Sequence, residues 1–242
     1  MKRKVLIILG WICLWQILAS VIHNDILMVG PLQVVSALFS MVQEPSFWIS
    51  VIATMSRIIA GFLLGTLAGV LLAWLAYEHE LIRDILQPVM LFLKAVPVVS
   101  FIVLILIWAG GVWLGFAISM IVVLPIVYVN VLEGLMNTDK NLLEMAKVFR
   151  MAKMTCIRKI YSRSVRPYFV SALSLACGMA VKSGIAAEVI GQSRNTIGNG
   201  IYMSKVYLAI DQLFAWTFVI LLLSWLFEKA VSLLLAKAGK RL

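Results

Sequence analysis

The side chains that could do chemistry in this chain are the few ionisable and hydroxyl groups that interrupt long apolar runs. Lys94, Glu133, Lys182, Glu188 and Glu228 fall within or near the ends of such runs. An ionisable group at membrane depth costs roughly 2.5–3.5 kcal/mol by insertion scales and marks a functional site by default. Lys182 is the deepest, in the small-residue stretch Ser171–Ala187 with Ser171, Ser174, Gly178 and Ser183. Two readings of it stay open. Lys182 has an internal partner such as Glu188, although six residues apart is not a same-face helical spacing. Alternatively it lines a polar pathway and attracts an anion, and Ser171, Ser174, Gly178 and Ser183 line that pathway with it. Lys94 can snorkel to a nearby surface, and Glu133 and Glu228 read as interfacial.

Catalysis finds no constellation here. Hydrolysis within a membrane needs a Ser–His pair, paired aspartates or a metal-binding His cluster. The only histidines, His23 and His79, lie in polar connections, and no Asp stands in mid-run. Cys13, Cys156 and Cys177 are far apart, without metal-ligand spacing or a disulfide framework. No Gly-x-x-x-x-Gly-Lys-Ser/Thr loop is present to hold ATP. We therefore expect a non-catalytic chain with no metal and no cofactor of its own. A stand-alone secondary transporter or channel is the weaker alternative, because neither an internal repeat nor a filter motif is visible.

The elements that must position these groups follow from composition. Of 242 residues, 63% are hydrophobic and 13% charged, with a mean hydropathy of +1.03. Soluble domains are about 45–50% apolar and about 25% charged, so a soluble enzyme is excluded, and so is disorder. At about 20 residues per span, the chain is an all-α integral membrane protein of about six helices. The +10 net charge, from 21 Lys and Arg against 11 Asp and Glu, points to anionic lipid or an acidic partner rather than nucleic acid.

Val5–Ile22 reads as a retained first span, not a cleaved signal. Pro31 opens a short amphipathic helix carrying Val34, Val35, Leu38 and Val42, set at the outer interface. Ser46–Tyr77, Ile85–Trp108, Trp113–Leu135, Tyr168–Ile190 and Leu213–Leu235 are the further spans. Gly61, Gly65 and Gly69 recur every four residues and make a close-packing seam, within one bundle or between subunits. Pro88 and Pro97 in the third span signal a kink at Pro97–Ser100. Lys2–Lys4, Arg83, the basic residues of 137–166 and Lys237, Lys240 and Arg241 share one side, while Arg194 and Lys205 lie opposite. The positive-inside rule makes both termini cytoplasmic, in a multi-pass plasma-membrane chain.

Residues 137–166 exceed what a connection needs. Ile157, Ile160, Tyr161, Ser164 and Val165 form an i, i+3, i+4, i+7, i+8 stripe, and basic residues fill the other face. Upstream, Leu142–Phe149 is a second helical stretch, with Ala146 and Phe149 spaced to present one small apolar face. An anchor for headgroups and a docking element for a soluble partner both fit these properties.

Glu144-Met145-Ala146, Ile160 and Pro167 resemble the EAA loop of the permeases of binding-protein-dependent ABC importers. In that family a glycine follows six positions after the Glu, then an apolar-x-Leu-Pro and a further Pro. Met145, Arg150 and Arg163 depart from the pattern; Arg150 in the glycine's place leaves open the usual turn or a helix that runs on. The resemblance covers most of the chain. Thr54-Met-Ser-Arg57 with Gly61-Phe62 and Gly65, Ala95-Val-Pro97 to Gly110, Ala187-Glu188-Val-Ile-Gly191 and Ile197-Gly198-Asn-Gly200 are similar to the nitrate/sulfonate/taurine-type group.

That resemblance implies a half-pore that pairs with a second copy or homologue and with an ATPase dimer that binds ATP and Mg. An extracytoplasmic solute-binding protein would deliver cargo. Glu144, Met145, Ala146, Phe149 and Arg150 would form the coupling contact, with Glu144 the polar centre and Ala146 allowing close approach. Cargo would be a small anion such as nitrate, bicarbonate, taurine or an alkanesulfonate, with a thiamine-precursor pyrimidine as the alternative. The expected partition is an N-terminal helix and outer helix (1–45), a permease core (46–236) containing the loop, and a basic tail (237–242).

Overall fold

The computed structural model describes residues 2–22, 24 and 28–239, helical with no strand among them; His23 and the last basic residues, Lys240 and Arg241, lie outside that range. The helices are α1 (Lys2–Ile22), α2 (Pro31–Gln43), α3 (Pro45–Glu78), α4 (Glu80–Ala95), α5 (Val98–Ala109), α6 (Leu114–Met136), α7 (Lys140–Val148), α8 (Lys153–Cys156), α9 (Ser162–Ile190), α10 (Ile197–Val206) and α11 (Ile210–Gly239). A 3-10 turn, Gly111–Trp113, precedes α6, and a π-helical stretch, Ile157–Tyr161, leads into α9.

Four helical segments are long and apolar enough to cross a membrane: Pro45–Glu78, Gly111–Met136, Lys153–Ile190 and Ile210–Lys237. The third expected span is different. It breaks at Val96–Pro97 into α4 and α5, which meet at 99°. Proline removes a backbone donor and forces the preceding residue out of the helical region, and Val96 is accordingly extended, with ψ 132°. The expected kink is a full break, so the described residues hold four long spans and one bent pair, and the expected first span is apolar only over Leu9–Ile22. The pair still runs from end to end. Its α4 starts two residues after α3 stops, and Gly111 beyond α5 accepts a 2.6 Å hydrogen bond from Ser193 at the opposite end.

α3, α6 and α9 make the heart of the bundle, and the sequence explains how closely they approach. A Cβ at Gly65 would stand 2.9 Å from the Met120 carbonyl oxygen, and one at Gly69 would stand 2.9 Å from the Val127 Cβ. At Gly61 it would run into the Phe116 carbonyl oxygen. The three glycines thus face α6 of the same chain, with α3 and α6 parallel. α9 runs antiparallel to both, with Ser119 on α6 donating to the Ala180 carbonyl at 3.2 Å. α2 starts at Pro31 and buries Val34, Ala37 and Met41, while Val35 and Val42 turn outward. α1 is pinned by the Trp15 indole N–H on the Val29 carbonyl, 3.0 Å.

Candidate functional site

Three sets of residues position themselves on this bundle. The first is the loop between α6 and α9. Asp139 caps α7 by accepting from the Asn141 amide at 2.9 Å. Glu144 is exposed, and Val148 and Phe149, 78% and 74% exposed, end the helix as an outward apolar knob. Ala146 points the other way and is buried. Ala146 and Phe149 therefore do not share a face, and the small size of Ala146 serves the seating of α7 on its own bundle. It lines a recess of about 390 Å³ with Trp74, Tyr77, Lys153 and Tyr161.

The helix does not run on through Arg150. It stops at Val148 in a Schellman turn, in which the Met151 amide donates to the Ala146 carbonyl at 2.9 Å and the Arg150 amide to the Lys147 carbonyl at 3.0 Å. That turn needs a left-handed residue at position 150, and Arg150 takes it with φ 48°. This is the position where the resembled family carries glycine, which adopts such a φ without steric cost.

Behind α7, the Ile157–Val165 stripe faces inward. Ile160 is buried, the Tyr161 hydroxyl lies 3.1 Å from that of Tyr77, and Ser164 donates to the Gly134 carbonyl. Trp74 packs edge-on against Tyr161 at 5.5 Å. An ion pair of 3.1 Å joins Lys153 to Glu78 at the end of α3. The loop's base is thus locked to α3 by one ion pair, one hydroxyl pair and an aromatic cluster. The π-helical stretch sits at this joint, as such bulges often do at functional positions.

The second set lies along α9. Ser171, Ser174 and Lys182 are exposed on one face, and a Cβ at Gly178 would meet nothing within 4 Å. Ser183, by contrast, is buried on the other side. Ser174 donates to Glu228 at 2.8 Å, a partner from α11. Lys182 has no carboxylate within 4 Å among the described residues. The pairing of Lys182 with Glu188 does not form, because Glu188 is fully buried on the opposite face.

The third set is one that spacing alone did not assign. Glu188, near the end of α9, is 0% exposed and accepts a 2.7 Å hydrogen bond from Thr54, also 0% exposed. Thr54 Oγ1 in turn accepts from the Ile197 amide at 3.0 Å. The Arg57 guanidinium stands 4.0 Å from the other carboxylate oxygen. Gly115 and Gly198 leave room for the knot, since a Cβ on either would meet Glu188. One carboxyl group thereby joins α3, α9 and the start of α10. The available signal was the set of three short motifs, around Thr54, Glu188 and Ile197, that carried the family resemblance; the fold brings them to one point.

The profile of the family described as binding-protein-dependent transport system inner membrane component matches residues 61–241. The formylaminopyrimidine transport permease protein ThiX of Halalkalibacterium halodurans is 24% identical over 213 residues, spanning 87% of this chain and 84% of that one. The nitrate import permease protein NrtB of Synechococcus elongatus is 24% identical over 237 residues, spanning 85% and 84%. The bicarbonate transport system permease protein CmpB of the same species is 24% identical over 214 residues, spanning 83% and 75%. Among solved structures, a chain of a bacterial ABC transporter that imports the acidic polysaccharide alginate superposes with a TM-score of 0.66 at 16% identity, covering 100% of this chain and 97% of that one. That last likeness concerns the fold alone.

Proposed function

The chain belongs to the binding-protein-dependent transport system inner membrane components, the permease subunits of ABC importers, and on that premise we propose that it forms half of the pathway for a small organic or inorganic anion. The observation that carries the cargo reading is Lys182. It has no ion-pair partner among the described residues, is exposed on a face of α9 whose other members are small, and is too deep in its span to reach either surface easily. A cation there is costly unless water or a substrate anion meets it. Residues 46–236 act as the permease core, and a second copy or homologue completes the pathway opposite this face.

The loop end faces the cytoplasm, where the excess of Lys and Arg belongs, and both termini lie on that side. There α7 docks on an ATPase subunit that binds ATP and Mg. Glu144 supplies the polar contact, and Met145, Val148 and Phe149 supply the apolar one. Closure of the ATPase dimer moves α7, and the lock on α3 passes that movement into the bundle, which rocks to expose the pathway alternately. An extracytoplasmic binding protein delivers the solute at the opposite end. The resemblance to ThiX supports a second cargo, a pyrimidine, for the same machinery.

The test is purification of the chain from its native membrane in mild detergent, with mass spectrometry of what stays bound. A stoichiometric ATPase subunit is the expected companion, and a co-purified binding protein would identify cargo by its ligand. Recovery of the chain alone would overturn the docking role of α7.

A further inference from the structure

We propose that the turn closing α10, residues 203–208, is the surface on which the extracytoplasmic solute-binding protein docks. It is the outer counterpart of the knob on α7, and it rests on the importer reading for the existence of that partner. The likeness of the two turns is the first argument. Residues 145–150 read Met-Ala-Lys-Val-Phe-Arg, and residues 203–208 read Met-Ser-Lys-Val-Tyr-Leu. The backbone repeats with the side chains. The Tyr207 amide donates to the Met203 carbonyl at 2.9 Å, the Leu208 amide to Lys205 at 3.2 Å and the Ala209 amide to Ser204 at 2.9 Å. The amides of Phe149, Arg150 and Met151 do the same to Met145, Lys147 and Ala146. Leu208 takes the left-handed position with φ 55°, as Arg150 does with φ 48°. The small residue of each set, Ser204 or Ala146, is buried. Met203, Val206 and Tyr207 are exposed, as are Met145, Val148 and Phe149.

Rigidity is the second argument. A bulky residue at positive φ is an outlier, and such strain persists where the surroundings fix it, often at functional positions. Here the two capping bonds fix it. Val206 and Tyr207 are therefore held out in one conformation, with Tyr207 77% exposed. An aromatic anchor that is already ordered loses little freedom when a partner covers it.

Place is the third argument, and it selects the occupant. α9 and α11 are consecutive spans, so the turn between α10 and α11 lies at the end of the bundle away from α7. With the basic loop cytoplasmic, that end faces outward, where a binding protein carries the solute. The start of α10 is tied to α3 by the Ile197 amide on Thr54, 3.0 Å. Its second turn is fitted against α11, since a Cβ at Gly200 would stand 2.6 Å from the Trp216 ring. A load on Tyr207 is thus passed to α3, the helix that the Glu78–Lys153 and Tyr77–Tyr161 contacts join to the base of α7. The fitting partner surface is an apolar pocket for Tyr207 and Val206, with a carboxylate at its rim for Lys205, which is exposed and has none within 4 Å among the described residues.

The test places the photo-crosslinking residue p-benzoylphenylalanine at position 207 of the full chain in its native cells, and in parallel at positions 149 and 221. Leu221 is an exposed residue of α11 and serves as the control. Position 207 should capture an exported soluble protein that itself holds a small solute, position 149 an ATPase, and position 221 neither. The protein captured at 207 is then purified, and its binding to the parent chain in nanodiscs is measured by biolayer interferometry. Tyr207→Ser should raise Kd at least tenfold, as truncation of an interface anchor does. Tyr207→Phe should stay within about threefold of the parent, a rescue that keeps the ring and separates docking from misfolding. Capture at 207 of an ATPase, a second copy of the chain or lipid alone would overturn the proposal, as would no capture, or a Kd unmoved by Tyr207→Ser. No adduct with an ATPase at 149 would count against the docking of α7 and leave the outcome at 207 to stand by itself.

Discussion

Thr54→Val isolates the polar content of the knot at the far end of the bundle. Valine keeps the shape of threonine, so no cavity opens, but the hydroxyl is lost. Two bonds go with it: the 2.7 Å donation to Glu188 and the 3.0 Å acceptance from the Ile197 amide. Both Thr54 and Glu188 are 0% exposed, so water cannot replace either bond. A buried polar group left without its partner costs about 1–3 kcal/mol, and more if charged. The Arg57 guanidinium, 4.0 Å from the other oxygen, limits the share of the carboxyl group. The sum is about 2–5 kcal/mol, a large part of a typical total stability of about 5–15 kcal/mol.

Thr54→Ser makes the opposite cut. It keeps both hydrogen bonds and removes one methyl group, which costs about 1 kcal/mol. Unfolding of the purified chain by titration with SDS in mixed micelles, followed by tryptophan fluorescence, measures both variants. The expected order of stability is parent, then Ser, then Val. Valine as stable as the parent, or more stable than serine, would refute the reasoning, because packing and not hydrogen bonding would then hold α3 to α9 and α10.

Glu144→Lys should leave expression and unfolding unchanged while abolishing ATP-driven uptake in proteoliposomes containing the full transporter; uptake at the parent rate would remove Glu144 from the coupling contact. Lys182→Gln should reduce anion uptake at least tenfold, by loss of a charge in a poorly screened site, with ATPase recruitment intact; unchanged kinetics would return Lys182 to a structural role. Gly61→Ala should destabilise the chain by about 1–3 kcal/mol through overpacking, whereas Gly178→Ala, which meets nothing within 4 Å, should change it by less than about 0.5 kcal/mol. Equal effects in micelle unfolding would count against the α3–α6 seam. Arg150→Gly should relieve about 1 kcal/mol of left-handed strain and preserve coupling, whereas Arg150→Val should impair both; a Val variant with normal uptake would show that the turn does not matter.

The sequence made legible what repeats locally. Glycines every four residues, a proline at a helix start and an i, i+3, i+4 stripe each state a period or a boundary, and Gly61–Gly69, Pro31 and Ile157–Val165 all occupy the surfaces that those patterns describe. The break at Val96–Pro97 was only half legible. Proline signals interruption, but the 99° angle is set by what α5 then packs on, and Ile102 is buried against Leu114, Ile118 and Ala187 far along the chain. With the bent pair counted, the described residues hold five candidate spans, and the sixth expected one, in α1, is apolar only over Leu9–Ile22. Arg150 was opaque because a left-handed arginine resembles any other arginine in a sequence; the Schellman bonds, not the residue type, require it. Glu188 was visible as a charge in an apolar run, but its partner lies 134 residues away. No local spacing rule reaches that distance, and the nearer Lys182 was a misleading candidate.

The same contacts decide which parts of the bundle can move together. α3 and α9 are antiparallel and tied at both ends, by Glu78–Lys153 and Tyr77–Tyr161 at the loop end and by Thr54–Glu188 at the other. Between these ties, α6 is clamped to α3 along a glycine seam whose neighbours are backbone and Cβ atoms, which cannot slide without collision. A three-helix body fixed at two ends and along its middle transmits a push at α7 as a rotation, since interiors packed this closely deform little. The compliant element is the α4–α5 pair across the broken backbone at Val96–Pro97; α11, although its most apolar stretch is only 6% buried, is held to α9 by Ser174–Glu228 and to α3 by Phe47–Trp216. Rearrangement during transport should therefore concentrate at the Val96–Pro97 joint. A disulfide engineered to hold α4 against α5 should block uptake while leaving ATPase binding intact, and a bridge added between α3 and α9 should leave both unchanged. Uptake that survived the first bridge and failed with the second would reverse this assignment of rigid and moving parts.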